Sequence, residues 1–284
     1  EFYDSFPVCR EVYELASKAS GLDVAKLCFE ENEKIHITEF TQIAMLATEA
    51  ALFAALKEKG IAPDVTAGLS LGEYGALIAS GVMEMEDAFS IIRKRGIFMQ
   101  NAVPSGGAMS AVMGLEAAPI EEICQKTEGI VSIANYNCPG QIVITGEQAA
   151  VDAAGMALKE AGARRIAPLK VSGPFHSQML SGAGEQLAQA LEEVQIADTF
   201  LPYVANVTAD YVTEASEVKP LLAKQVASSV RWQQTIERLI ADGADTFVEI
   251  GPGKTLSGFM RKINREMTVY NIDKLEDFIK YVDR

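Results

Sequence analysis

Apolar residues in the first part of the chain recur at helical spacing. Phe2, Phe6, Val8, Val12, Leu15 and Ala16 predict one amphipathic helix, and residues 22–29 a short second one. A long third helix is predicted over 38–59, stopped by Gly60. Its most apolar part, residues 43–56, is interrupted by Glu49 and reads as too short to cross a bilayer. A short apolar strand at 65–67 then runs through a glycine-flanked turn into another helix. A further helix over 84–101 carries an apolar stripe of Ala88, Ile91, Ile92 and Met99. Arg95 falls on that stripe, whereas Arg93 and Lys94 fall off it. An inward guanidinium must meet a partner, line a cavity or snorkel past the core edge. Gly96, a weak helix former, hints at close packing beside it.

From Gly106 the period changes. Strands at 108–115, 131–135, 141–145 and 165–171, with helices at 119–127 and 148–162, give the order βαββαβ. That is the pattern of a ferredoxin-like module inserted into a larger chain. Pro104-Ser105-Gly106-Gly107 marks its entry and Ser172-Gly173-Pro174 its exit. Residues 135–140, with two asparagines, a proline and a glycine, read as its central turn. Beyond it come helices at 181–194, 220–228, 233–242, 254–264 and 275–282, and strands at 201–207, 246–250 and 267–272. Strands alternating with helices predict a parallel sheet covered on both faces.

The turn after the short strand is Gly68-Leu69-Ser70-Leu71-Gly72. A G-x-S-x-G between a strand and a helix is a nucleophile elbow, which lifts the serine out of the sheet edge. Close backbone approach is expected to forbid a Cβ at 68 or 72. The Leu71 N–H would sit at a helix N-terminus, where donors lack internal partners. The chain has 2 histidines. His36 stands in a charged connection, so His176, in Phe175-His176-Ser177, is the candidate base for Ser70. The expected fold is therefore α/β. Residues 1–103 and 172–284 form a parallel-sheet, α/β-hydrolase-like large subdomain, and 104–171 a ferredoxin-like small one.

Composition narrows the partners. A net charge of −14 and a pI near 4.7 argue against nucleic acid and anionic membrane surfaces. Cys9, Cys28, Cys124 and Cys138 show neither C-x-x-C nor metal-ligand spacing, and read as reduced thiols of a cytoplasmic protein with no metal.

Five stretches now combine: Gly68-Leu69-Ser70-Leu71-Gly72-Glu73-Tyr74, Arg95-Gly96-x-Phe98-Met99-Gln100, Asn135-x-Asn137-x-Pro139-Gly140-Gln141, Gly173-Pro174-Phe175-His176-Ser177 and Glu249-Ile250-Gly251-Pro252-Gly253-Lys254. In that order, across nearly the whole chain, they resemble the malonyl-CoA:acyl carrier protein transacylases of type II fatty acid synthesis. The acyltransferase domains of polyketide synthases share them. The resemblance implies a ping-pong transfer through a malonyl-serine, from malonyl-CoA to the phosphopantetheine thiol of an acidic carrier protein, with no cofactor. It implies Ser70 as nucleophile, His176 as base, the Leu71 N–H as an oxyanion donor and Arg95 as the clamp on the malonate carboxylate. Gln42, Phe175 and Asn137 would line the acyl pocket. The Gln225 backbone carbonyl and Asn206 would orient His176. A monomer is expected.

Two features depart from the family. Leu69 stands where malonyl-selective members usually carry histidine. The family also opens with a strand and a Gly-Gln-Gly-x-Gln turn that completes the oxyanion hole, whereas Glu1-Phe2-Tyr3 resembles the helix after that turn. The sequence is thus expected to lack the family's opening segment. Two rivals stand beside the resemblance. A serine esterase or thioesterase of the α/β-hydrolase type would need an acidic triad member and would have no use for Arg95. A non-catalytic carrier-binding protein would not need Ser70. Arg164, Arg165, Lys170, Lys254, Arg261 and Lys262 are the candidate cations for a carrier.

Overall fold

Pro7 breaks the first predicted helix in two. The computed structural model describes residues 1–284 and begins with α1 (Phe2–Ser5) and α2 (Pro7–Ser20). Phe6 between them is extended, at φ −124° and ψ 119°, as the residue before a proline prefers, and Pro7 restarts the helix at its first position. Next come α3 (Val24–Phe29) and α4 (Thr38–Glu58). At 21 residues, α4 is longer than its apolar segment suggested, and long and apolar enough to span a bilayer. Here it is the core helix, with Ile43, Leu46, Ala47, Ala50, Leu52 and Leu56 buried. It packs against α2, against α5 (Gly72–Ser80) and against α6 (Met85–Ala102). Gly96 explains the intimacy of one contact: a Cβ there would lie 2.9 Å from the Glu39 Cα, so α6 touches the start of α4 backbone to backbone.

The expected parallel sheet is present in two short pieces. Strand β1 (Thr66–Ala67) precedes the elbow. Between α6 and the C-terminal half lie β2 (Gly107–Met113), α7 (Ala117–Lys126), β3 (Val131–Cys138), β4 (Gln141–Glu147), α8 (Gln148–Glu160) and β5 (Arg165–Pro168). The chain continues through α9 (Ser181–Leu191), β6 (Tyr203–Val204), β7 (Tyr211–Val212), α10 (Ala215–Gln225), α11 (Trp232–Ala241), β8 (Thr246–Ile250), α12 (Thr255–Ile263), β9 (Thr268–Ile272) and α13 (Leu275–Val282). β1 pairs parallel to β6, β6 pairs antiparallel to β7, and β8 pairs parallel to β9. The unforeseen β7 arises because the chain after β6 reverses through Ala209, at φ 54°, and pairs back on itself. Helix α10 also begins earlier than Pro220, which lies inside it. Val218 and Leu222, four residues apart, are both fully buried. That shared buried face outweighs the hydrogen bond a proline removes.

β2–β5 form one antiparallel sheet in the order β3-β4-β2-β5, with α7 and α8 against one face. Val112, Ile142 and Ile144 meet Ile120, Val151 and Leu158 on the helix side. Met109, Ala134 and Val143 form a separate cluster that Phe175 covers. The sheet is tied to the other body through β3: the Val230 N–H donates to the Ala134 carbonyl at 2.8 Å, and the Tyr136 N–H to the Val230 carbonyl at 2.9 Å. Residues 135–138, read as a turn, belong to β3, and only Pro139-Gly140 turns.

Candidate active site

The elbow is built by backbone crowding on one side. A Cβ at Gly68 would lie 1.9 Å from the Gly72 carbonyl oxygen, so only glycine fits. At Gly72 a Cβ would meet nothing within 4 Å, contrary to expectation, because the turn folds residue 68 over residue 72 and leaves the far side open. Ser70 is held at φ 55°. Only three non-glycine residues have positive φ, and Ser70 and His176 (φ 62°) are two of them. Backbone strain in this chain is thus concentrated where the two side chains meet, as at functional sites generally.

Ser70 Oγ lies 2.8 Å from His176 Nε2. His176 Nδ1 lies 2.9 Å from the Gln225 backbone carbonyl. A carbonyl only accepts, so Nδ1 carries the proton and Nε2 is left to accept from Ser70. The place of a triad acid is therefore taken by a peptide oxygen. The Leu71 N–H makes no hydrogen bond within the chain and stands at the head of α5.

Arg95 arrives from α6, 1% exposed, with no carboxylate within ion-pair distance. Its Nη1 donates to Gln42 Oε1 at 2.5 Å, and its Nη2 to Gln225 Oε1 at 2.8 Å and to Ser70 Oγ at 3.2 Å. Nε has no partner, and the guanidinium lies 5.6 Å from the centre of the Tyr74 ring. Beneath the elbow, Glu73 is 1% exposed. Its Oε2 accepts from Gln225 Nε2 at 2.7 Å and from the Asn206 N–H at 3.2 Å. Gln225 Nε2 also donates to the Ser70 carbonyl at 2.9 Å. Gln225 thus touches serine, histidine and arginine at once, whereas the sequence points only to its backbone carbonyl.

Burial dominates the electrostatics. It pushes His176 down to about 4, and the Arg95 charge pushes the same way, so the imidazole is neutral near pH 7. Burial raises Glu73 to about 7, against the pull of its hydrogen bonds and of Arg95. Burial also pulls Arg95 below the usual guanidinium range, opposed by Tyr74 and Glu73.

Of the residues singled out in the sequence, Ser70, His176, Arg95, Gln42 and the Gln225 carbonyl come together. Asn206 does not orient the histidine. Its Oδ1 accepts from the Ser70 N–H at 2.6 Å and its Nδ2 donates to the Gly68 carbonyl at 2.6 Å, so it pins the elbow on which Ser70 sits. Phe175 precedes His176 and packs on Met109, Ala134 and Val143. Asn137 is buried in β3 and makes no hydrogen bond to Ser70, His176 or Arg95. His36 is exposed. A cavity of about 440 Å³ opens on His176, with Lys224, Arg231, Ser132, Ser228 and Ser229 among its lining. Neither cation at that mouth was singled out, since no local pattern marks an exposed lysine or arginine as facing a cleft.

The acyl transferase domain model matches residues 7–273. The chain is 44% identical over 272 residues to the malonyl CoA-acyl carrier protein transacylase of Bacillus subtilis (strain 168), covering 94% of this chain and 86% of that protein. The crystal structure of MCAT from Streptococcus pneumoniae superposes with a TM-score of 0.96 at 43% identity, covering 99% of this chain and 93% of that one. A type II PKS acyl-carrier protein in complex with its malonyl-transacylase gives a TM-score of 0.95 at 36% identity, covering 99% and 93%.

Proposed function

The chain belongs to the acyl transferase domain family, and we propose that it moves a malonyl group from malonyl-CoA to the phosphopantetheine thiol of an acyl carrier protein. The observation that carries this reading is the buried guanidinium beside the nucleophile: Arg95 Nη2 lies 3.2 Å from Ser70 Oγ and meets no carboxylate of the chain. An acyl group bearing its own carboxylate supplies the missing anion, and a planar fork can take it in two parallel hydrogen bonds. An esterase would have no use for that charge, and a mere binding protein none for the Ser70–His176 pair.

The chemistry follows from the placement of protons. As Ser70 Oγ attacks the thioester carbon, its proton passes to His176 Nε2, and the developing oxyanion lies toward the free Leu71 N–H. The C–S bond breaks, and the leaving thiolate takes the proton back from the imidazolium. Malonyl-Ser70 remains. In the second half, the carrier thiol gives its proton to Nε2 and attacks the ester carbon. Ser70 leaves and recovers the proton. The Gln225 carbonyl holds the ring throughout and stabilises Nδ1–H when the ring is charged. The thioester brings its own leaving group, so no cofactor or metal enters. The free thiols of Cys9, Cys28, Cys124 and Cys138 suit the reducing cytoplasm.

Mass spectrometry after mixing with malonyl-CoA tests both reaction and residue. We expect a malonyl adduct, malonic acid less water, on the Ser70 peptide, and none in Ser70→Ala. An adduct on another residue, or equal labelling of the alanine variant, would refute the reading.

A further inference from the structure

Arg95 faces two conflicting demands. A direct ion pair would occupy the fork that an acyl carboxylate needs. No countercharge at all would leave a guanidinium that is 1% exposed uncompensated. The structure places the Glu73 carboxyl one amide away, its pKa raised to about 7 by burial and the group so charged in about half of the molecules near pH 7. Glu73 Oε2 accepts from Gln225 Nε2 at 2.7 Å, and Gln225 Oε1 accepts from Arg95 Nη2 at 2.8 Å. Glu73 is the one carboxylate whose charge acts on Arg95.

The chain of groups also has only one sense. If the Gln225 carboxamide turned over, its NH2 would face the Arg95 donors. Its oxygen would face the Glu73 carboxylate and the Ser70 carbonyl, donor against donor and acceptor against acceptor. We propose that Glu73 is a positioning residue: its carboxylate fixes the Gln225 carboxamide in the orientation that aims Arg95 at the acyl group on Ser70. Through its second bond, to the Asn206 N–H, the same oxygen steadies the side chain that grips the elbow. Glu73 touches no substrate and acts through Gln225 and Asn206. Its other oxygen, Oε1, has no partner. The burial of a carboxylate half satisfied is a load that packing alone does not require.

The inference rests on the malonyl transfer proposed above, and the test separates the two. The readout is the ratio of kcat/KM for malonyl-CoA to that for acetyl-CoA, per active site titrated with a serine-directed phosphonate. The parent should prefer malonyl. Glu73→Ala should lower the ratio about tenfold, the equivalent of one charge-assisted hydrogen bond. Glu73→Gln keeps an acceptor oxygen and should lower it less. Gln225→Leu keeps the backbone carbonyl for His176 and should lower the ratio as far as Glu73→Ala. The double variant should fall no further, because both changes break one chain of contacts. A purely structural Glu73 would slow both thioesters alike and leave the ratio unchanged, which would overturn the proposal; so would losses that multiply in the double variant. Should Glu73→Ala fail to fold, Glu73→Gln against Gln225→Leu carries the same comparison. A parent with no preference for malonyl would overturn the transfer reading and this inference with it.

Discussion

Burial keeps His176, the proposed base, unprotonated at Nε2. Its pKa near 4, set first by desolvation and then by the Arg95 charge, keeps Nε2 free to accept throughout the neutral range. Protonation removes the base, so kcat/KM for malonyl-CoA should fall only as pH drops through about 4, not through the usual histidine value of 6.5. In Arg95→Ala one positive neighbour is gone, which favours the imidazolium, so the acid limb should move to higher pH. The same variant should lose about 10- to 100-fold in preference for malonyl over acetyl thioesters, the worth of a charge-assisted pair. A pH–rate profile and paired kcat/KM values check both; an unmoved limb would detach the arginine from the histidine, and unchanged selectivity would remove Arg95 from the acyl pocket. At this scale the sequence was legible where residue type limits the choice. A single suitable histidine and an arginine on an apolar stripe left few alternatives. The roles of the Gln225 carboxamide and the Glu73 carboxylate were not legible, because they exist only where α5 and the end of α10 meet, 152 residues apart in sequence.

Elements were legible where period and punctuation agreed. The βαββαβ order and the closing helix α13 follow from apolar spacing and turn residues alone. The errors fall where a tertiary contact overrides a local signal. Pro220 reads as a helix start, yet the buried pair Val218 and Leu222 extends α10 backward past it. The elbow glycines look equivalent in sequence and differ in space. Gly68→Ala would drive a Cβ to 1.9 Å from the Gly72 carbonyl oxygen. Only a backbone shift relieves that contact, so stability should fall by at least about 2 kcal/mol, in the range for overpacking, and Ser70 should lose its alignment. Gly72→Ala meets open space at the first position of α5. It should be neutral or stabilising by about 0.5 kcal/mol, through loss of freedom in the unfolded chain. Denaturant melts of the two variants decide it: equal destabilisation would mean that the elbow is crowded from both sides.

For the whole molecule, the question is how a chain with 39 acidic and 25 basic side chains receives anionic partners. Coenzyme A carries phosphates, so the average field repels it, and it would equally repel an acidic carrier protein. Approach requires a local reversal of sign at the mouth of the cleft. Lys224 and Arg231 line the cavity that opens on His176. Neither takes part in any of the chain's ion pairs, which instead engage Lys18, Lys26, Arg93, Lys94, Lys126, Arg238 and Lys280. In a protein with carboxylates in excess, we expect two unpaired cations at one opening to draw an anion to it. Attraction between exposed charges is screened over roughly 8 Å at physiological ionic strength. The KM for the carrier should therefore rise with salt, while kcat should change little. Reversing both charges, Lys224→Glu with Arg231→Glu, should raise the carrier KM at low salt and flatten its salt dependence. Malonylation of Ser70 at saturating malonyl-CoA should stay within about twofold, since neither side chain bonds to Ser70, His176 or Arg95. Steady-state kinetics across a salt series measures this, and a carrier KM indifferent to salt in the parent would place the docking force elsewhere than in these charges.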